Sequence, residues 1–238
     1  MTRAGKLIVI DGIDGSGKRT QAELLQKVLL SSGIKTELFD FPRYGEKSAA
    51  LVEEYLSGNF GTAEEVGPYR ASVFYAVDRY AASIKMRELL DRGVFIISNR
   101  YVSASKGHQA ASIKDKSERE RFLGWLNNLE YNIFGIPKPD LTVFLHVPSS
   151  IGYELVLKKD KRGYIGGKKQ DILEEDKAHL ELAENTFLSL AGGLDTFENW
   201  KTIECAQSGQ MLSVKEISER ILSLINLEFD INIKKEVR

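Results

Sequence analysis

A chain of 238 residues, 42% of them apolar, is long enough for one domain with a substantial core. Its 33 basic and 34 acidic residues nearly cancel to a formal charge of −1, so bulk electrostatics call for neither a nucleic-acid nor a membrane partner. Cys205 is the single cysteine, which excludes a disulfide or a cysteine-rich zinc site within the chain, and no apolar run is long enough for a signal-peptide core or a membrane span. A soluble cytoplasmic protein is the expectation.

The first apolar run, KLIVID (6–11), meets a glycine-rich turn and then the helical pattern QAELLQKVLLSS, closed by Gly33. The run KTELFD (35–40) precedes one long helical pattern, EEVGPYRASVFYAVDRYAASIKMRELL, closed by Gly93. VFIIS (94–98) follows, then the helical RERFLGWLNNLEYNIF, which the KPD at 138–140 stops. LTVFLHV (141–147), a basic glycine-bearing stretch KDKRGYIGGKKQ (159–170), the helical DILEEDKAHLELAENTFLSL and KTIEC (201–205) complete the alternation. Strands this continuously apolar are buried on both faces, so the expected fold is α/β, with a central five-stranded parallel sheet flanked by helices. The chain reads as one domain over 1–238. Residues 158–170 carry Lys158, Lys159, Lys161, Arg162, Lys168 and Lys169 against Asp160, and read as a mobile loop.

Gly12, Gly17 and Lys18 satisfy G-x-x-x-x-G-K between the first strand and the first helix. In that context the motif is a phosphate-binding loop, whose backbone N–H groups and helix N-terminus face an anion while Lys18 reaches the β- and γ-phosphates. Gly12, Gly15, Ser16, Gly17, Lys18, Arg19 and Thr20 are the expected ATP contacts. Arg19 stands where a hydroxyl would ligate Mg²⁺, and a guanidinium has no lone pair to give. Magnesium needs few protein ligands, and Asp14, Thr20 and Asp11 still offer oxygen. Arg19 itself either contacts a phosphate or is a solvated side chain of the first turn. No N-K-x-D occurs, which removes the base-reading signal of a GTP switch.

IDGIDGSGK, FPRYG (41–45), FYAVDR (74–79), NRYVSASKGHQ (99–109) and PKPDLTVFL (137–145) together resemble the thymidylate kinase family, in its order and spacing. The resemblance implies a P-loop kinase fold, usually a homodimer, that transfers the γ-phosphoryl of ATP to dTMP with Mg²⁺ as cofactor. It implies that Lys18, Arg100 and Arg162 stabilise the transferring group and that Asp14 meets the sugar 3′-hydroxyl and the metal shell; the Thr20 hydroxyl, one residue past Arg19, is the second expected metal contact on its chemistry alone. For dTMP it implies contacts from Asp14, Phe41, Tyr44, Tyr75, Arg79, Arg100, Ser105, His108 and Glu174. Tyr75 and Arg79, four apart, share a helix face. The family string D-R-Y is N-R-Y here; Asn99 either binds a metal-bound water through its amide oxygen or caps the next turn. Gly15 occupies a place where some members carry an arginine, so cations are expected from a basic lid at about 158–170. Asp171 and Glu174 fit either acceptor contacts or a capping box. Cys205 and Ala206 fall at the adenine pocket, with the cysteine read as packed rather than nucleophilic. A kinase of dUMP or another pyrimidine nucleotide, and a nucleotide-binding protein without turnover, are the alternatives.

Overall fold

The computed structural model describes residues 4–158 and 177–233. Five parallel strands, β1 (Leu7–Asp11), β2 (Thr36–Asp40), β3 (Phe95–Asn99), β4 (Leu141–His146) and β5 (Trp200–Glu204), lie in the order β2-β3-β1-β4-β5. The apolar runs predict each of these within a residue at either end. The three central strands are the most apolar, and every residue of β1 is buried. Edge strands β2 and β5 are only partly buried, which is why TELFD and WKTIE tolerate charged residues.

Because side chains alternate across a strand, β1 feeds two cores. Leu7 and Val9 join Phe39, Met86, Ile96, Phe144 and Phe187 on one face. Ile8 and Ile10 join Leu25, Leu29, Ile97, Val143, Leu145 and Ile221 on the other. Helices α1 (Lys18–Ser31) and α8 (Val214–Phe229) cover the second face. On the first lie α3 (Ala63–Asp91), α4 (Val102–His108), α5 (Lys116–Asn127) and α7 (Lys177–Ser189). The short α2 (Ala50–Leu56) packs with α3 in a satellite cluster, and α6 (Ser149–Lys158) follows β4.

Three expectations are corrected. The stretch 64–90 is not one continuous helix: Gly67 adopts φ 73°, ψ 164°, and Pro68, which has no N–H to donate, opens a second limb. The helix after β1 begins at Lys18 rather than Gln21, which draws Lys18, Arg19 and Thr20 into its first turn. The helical pattern 119–134 ends as an α-helix at Asn127 and continues as a wide π-helical turn, Asn128–Ile133. Helix α8 was not anticipated, although Ser213 and Glu216 form a capping box before the stripe Ile217, Ile221, Leu222 and Ile225. The lid segment 159–170, with Arg162, and the acidic residues Asp171 and Glu174 lie outside the described residues.

Candidate active site

The carboxyl ends of β1, β2 and β3 converge on one edge, where open α/β sheets place their ligands. From β1 the chain turns through Gly12 (φ 152°), Gly15 (φ 85°) and Gly17 (φ 83°) into α1. A Cβ on Gly12 would stand 2.6 Å from the Leu145 carbonyl, and one on Gly15 would stand 2.4 Å from the Gly152 carbonyl in α6. Both positions therefore require glycine for space as well as for backbone angle. The fit against α6 leaves no room at position 15 for a side chain of any kind. At the start of the turn, Asp11 is buried and accepts from the Gly12 N–H (2.8 Å) and the Ser103 hydroxyl (2.6 Å). Burial raises its pKa, against the opposing pull of Lys18. Ser16 Oγ is buried in the loop with no hydrogen-bond partner among the described residues.

Lys18 folds across this loop. Its ammonium donates to the Gly12 carbonyl (3.0 Å), the Ile13 carbonyl (2.8 Å) and Asp14 Oδ1 (3.3 Å). Burial lowers its pKa to about 8, the nearby Asp14 charge offsetting part of that loss. Asp14 Oδ1 also takes the guanidinium of Arg100. Burial works to raise the Asp14 pKa, but Arg100 and Lys18 outweigh it and hold the carboxyl far below the usual carboxylate range. Asp14 is thus a permanently ionised clamp, not a proton acceptor at neutral pH.

Arg100 is presented by a strained backbone. Its φ is 62°, a left-handed conformation that a side chain costs about 1–2 kcal/mol to adopt. Its N–H donates to the Ile10 carbonyl (3.1 Å) and its carbonyl accepts from Ser98 Oγ (2.6 Å), so β1 and β3 impose the conformation.

Behind Arg100 lies a cavity whose lining includes Asp14, Phe41, Tyr75, Arg79, Arg100, Ser105 and His108. Seven residues expected at the acceptor thus meet in one place. Tyr44 does not line it, packing instead beside Tyr75 against the cluster of Val52, Tyr55 and Leu56. Arg79 is buried and donates to Ser105 Oγ (3.0 Å), the Tyr101 carbonyl (3.2 Å) and the buried Glu130. His108 stacks on His179 (5.7 Å between centroids) and meets the edge of Phe187. Burial pushes its pKa well down, so it is a neutral ring, and its Nε2 has no hydrogen-bond partner among the described residues.

Residues that stand in the quoted motifs but carry no expected role hold this wall in place. Asp78 accepts from the Arg43 N–H (2.8 Å) and Nε (3.0 Å), pinning the FPRYG turn to α3. Lys106, fully buried, donates to Asp195 and Glu198 (both 2.6 Å), and Gly107 meets Phe187 too closely to carry a side chain, so α4 is locked onto α7. The adjacency of Asp78 to Arg79 was the only signal for the first pair; nothing local marks the second.

The sequence model of the thymidylate kinase family matches residues 10–196. The chain belongs to the thymidylate kinase family. Among its relatives, the thymidylate kinase of Mycobacterium tuberculosis (strain ATCC 25618 / H37Rv) is 30% identical over 171 residues, 71% of this chain and 78% of that one. Those of Danio rerio and Homo sapiens are each 28% identical, over 93% of both chains for the first and over 87% of this chain and 85% of that one for the second. In fold, the chain is similar to a solved thymidylate kinase from Candida albicans, with a TM-score of 0.73 at 20% identity over 99% of this chain and 97% of that one.

Within this thymidylate kinase family member the two departures from the family pattern lie beside each other. Asn99 Nδ2 donates to Asp40 Oδ1 (2.6 Å), and Arg19 reaches toward Asp40 Oδ2 (3.9 Å) while pairing with Glu23 (3.0 Å). Arg19 and Thr20 are exposed. Asn99 Oδ1 is buried with no hydrogen-bond partner among the described residues. The groups at this edge are hard oxygens, the class Mg²⁺ prefers, and that unpartnered amide oxygen fits a metal-bound water. Among the described residues no three His, Cys, Asp or Glu side chains gather to hold a metal. Cys205 is buried and its pKa is pushed up to about 12 by burial, so the packed reading holds and a nucleophilic one does not.

Proposed function

We propose that the protein transfers the γ-phosphoryl group of ATP to the 5′-phosphate of dTMP, giving ADP and dTDP. The carrying observation is the placement of Arg100: it pairs with Asp14 of the ATP loop and lines the acceptor cavity, so one guanidinium serves both phosphates.

An ionised oxygen of the acceptor phosphate attacks Pγ as the bond from Pγ to the bridging oxygen of ADP breaks. The second pKa of a phosphate monoester is about 6, so the nucleophile is already charged at neutral pH and no general base is needed. Asp14, pinned and ionised, is free of that task. Rate then comes from positioning and charge neutralisation. Lys18 and the loop N–H groups hold the donor, and Arg100 neutralises the crowded oxygens. Arg162 and the basic segment would add charge over the γ-phosphoryl. Tyr75, Arg79, Ser105 and His108 would hold the base and sugar and Phe41 the apolar wall, with Glu174 near the acceptor; Tyr44, packed outside the cavity lining, would meet the acceptor phosphate only by turning toward it. Mg²⁺, when bound, spreads the charge of the donor phosphates. Asn99, Asp14 and Thr20 are the residues that would hold its shell.

We take the working state to be a cytoplasmic homodimer. No helix among the described residues is long and apolar enough to cross a membrane. The test is product formation from ATP and Mg²⁺ against dTMP, dUMP, dCMP, UMP and thymidine, followed by chromatography. Preferred conversion of dTMP supports the reading, preferred conversion of another acceptor moves the substrate, and ATP binding without any product overturns it.

A further inference from the structure

We infer that Glu130 sets the hydrogen-bond polarity of the acceptor cavity, and through it the preference for a pyrimidine with a 4-carbonyl over one with a 4-amino group. This rests on the cavity being a pyrimidine monophosphate site.

Glu130 does not line the cavity; it acts on Arg79 from behind. It is fully buried, in the π-helical turn Asn128–Ile133, a kind of irregularity that recurs at functional sites. Arg79 Nε and NH2 both donate to its Oε1, at 2.9 and 2.5 Å. NH2 donates also to Ser105 Oγ and NH1 to the Tyr101 carbonyl. A guanidinium has five N–H donors and no acceptor, so these four bonds leave one N–H, on NH1. Ser105 Oγ accepts from Arg79, which leaves its own proton to be donated. Arg79 and Ser105 therefore each keep a hydrogen to give, and the carboxylate of Glu130 fixes which ones.

A 4-carbonyl accepts such hydrogens, whereas a 4-amino group sets donor against donor and leaves buried groups unpaired. Discrimination of that kind is steep, because an unmet polar group in a closed site loses its whole hydration. Glu130 also carries a cost that packing alone does not explain. Its Oε2 is buried with no hydrogen-bond partner among the described residues, an expensive arrangement for an acid used only as filler. Its carboxylate keeps the guanidinium charged inside the protein and holds its plane by a two-point contact. Glu130 is thus a positioning residue, touching no substrate itself.

The test compares Glu130→Gln and Glu130→Asp with the natural chain, by kcat/KM for dTMP, dUMP and dCMP. The first variant removes the charge; the second keeps it but withdraws it by one methylene. Both are expected to lower the dTMP:dCMP ratio at least tenfold while the dTMP:dUMP ratio, between two 4-carbonyl bases, stays within about twofold. The KM for dTMP should rise by a larger factor than kcat falls. Stabilisation by dTMP and by dCMP in thermal melts reads the same preference without turnover. A dTMP:dCMP ratio within twofold of the natural chain in both variants overturns the assignment, as does failure of both to fold, which would make the pair a requirement of the fold alone. If the natural chain turns over no dTMP, the kinase reading fails. If it does and the ratios are unmoved, only the role of Glu130 fails.

Discussion

Arg100 and Asp14 are 86 residues apart in the chain and form one ion pair across the cleft, joining the end of β3 to the phosphate loop. The strained backbone of Arg100, at φ 62°, accompanies this pair and presents the guanidinium to Asp14.

Arg100→Gly separates these roles. Glycine adopts φ 62° without strain, so the gain offsets part of the lost ion pair and the greater flexibility of the unfolded chain. Stability by urea titration should change by no more than about 1 kcal/mol, while kcat falls about 10²–10³-fold, the usual cost of losing a group that neutralises the transition state. A variant that keeps activity would remove Arg100 from the mechanism.

Lys18 sets an alkaline limb. Its pKa is lowered to about 8, so its cationic form, the one proposed to hold the donor phosphates, is present below that pH and is lost as pH rises through it. The profile of kcat/KM for ATP reports the free enzyme and should fall above about pH 8. Bound phosphates favour the charged ammonium, so the limb in kcat should lie at higher pH. Coincident limbs in both profiles would assign the titration elsewhere.

Gly15→Ala tests the loop against α6. The added Cβ meets the Gly152 carbonyl at 2.4 Å and demands a positive φ. We expect at least about 2 kcal/mol of destabilisation in a denaturant melt, from strain plus overlap, and a KM for ATP raised tenfold or more. Natural-like stability would mean that α6 yields readily to the loop.

Asn99→Asp would place a second carboxylate against Asp40, in place of the 2.6 Å amide bond. Repulsion between the two, moderated by the half-exposed Asp40, should cost about 1 kcal/mol at pH 7. The close acid pair shares a raised pKa, so the loss is present above it and disappears as acidification protonates one carboxyl. Adding Asp40→Asn should restore stability at pH 7. An Asn99→Asp chain as stable as the natural one would show that Asp40 turns away.

The order of elements was legible because each strand is a short apolar run and each break carries glycine or proline. The helix limits were not, where a local pattern competes with geometry: Gly67 interrupts the periodicity of α3 without disturbing its apolar spacing. Helix α8 carried its own capping box and stripe, and the signal was there to be used.

By itself the sequence determined the phosphate loop, since its glycines and Lys18 act on neighbours within a few residues, and it determined the parallel sheet, since continuous apolarity admits burial on both faces. Only the tertiary structure decided what faces what: Asp40 against Asn99, Asp78 against Arg43, Glu130 behind Arg79, Gly152 over Gly15. Those partners lie far apart along the chain and meet through the strand order and the helices it positions. A charge or hydrogen bond acts over ångströms of space, and spacing along a sequence does not measure that distance.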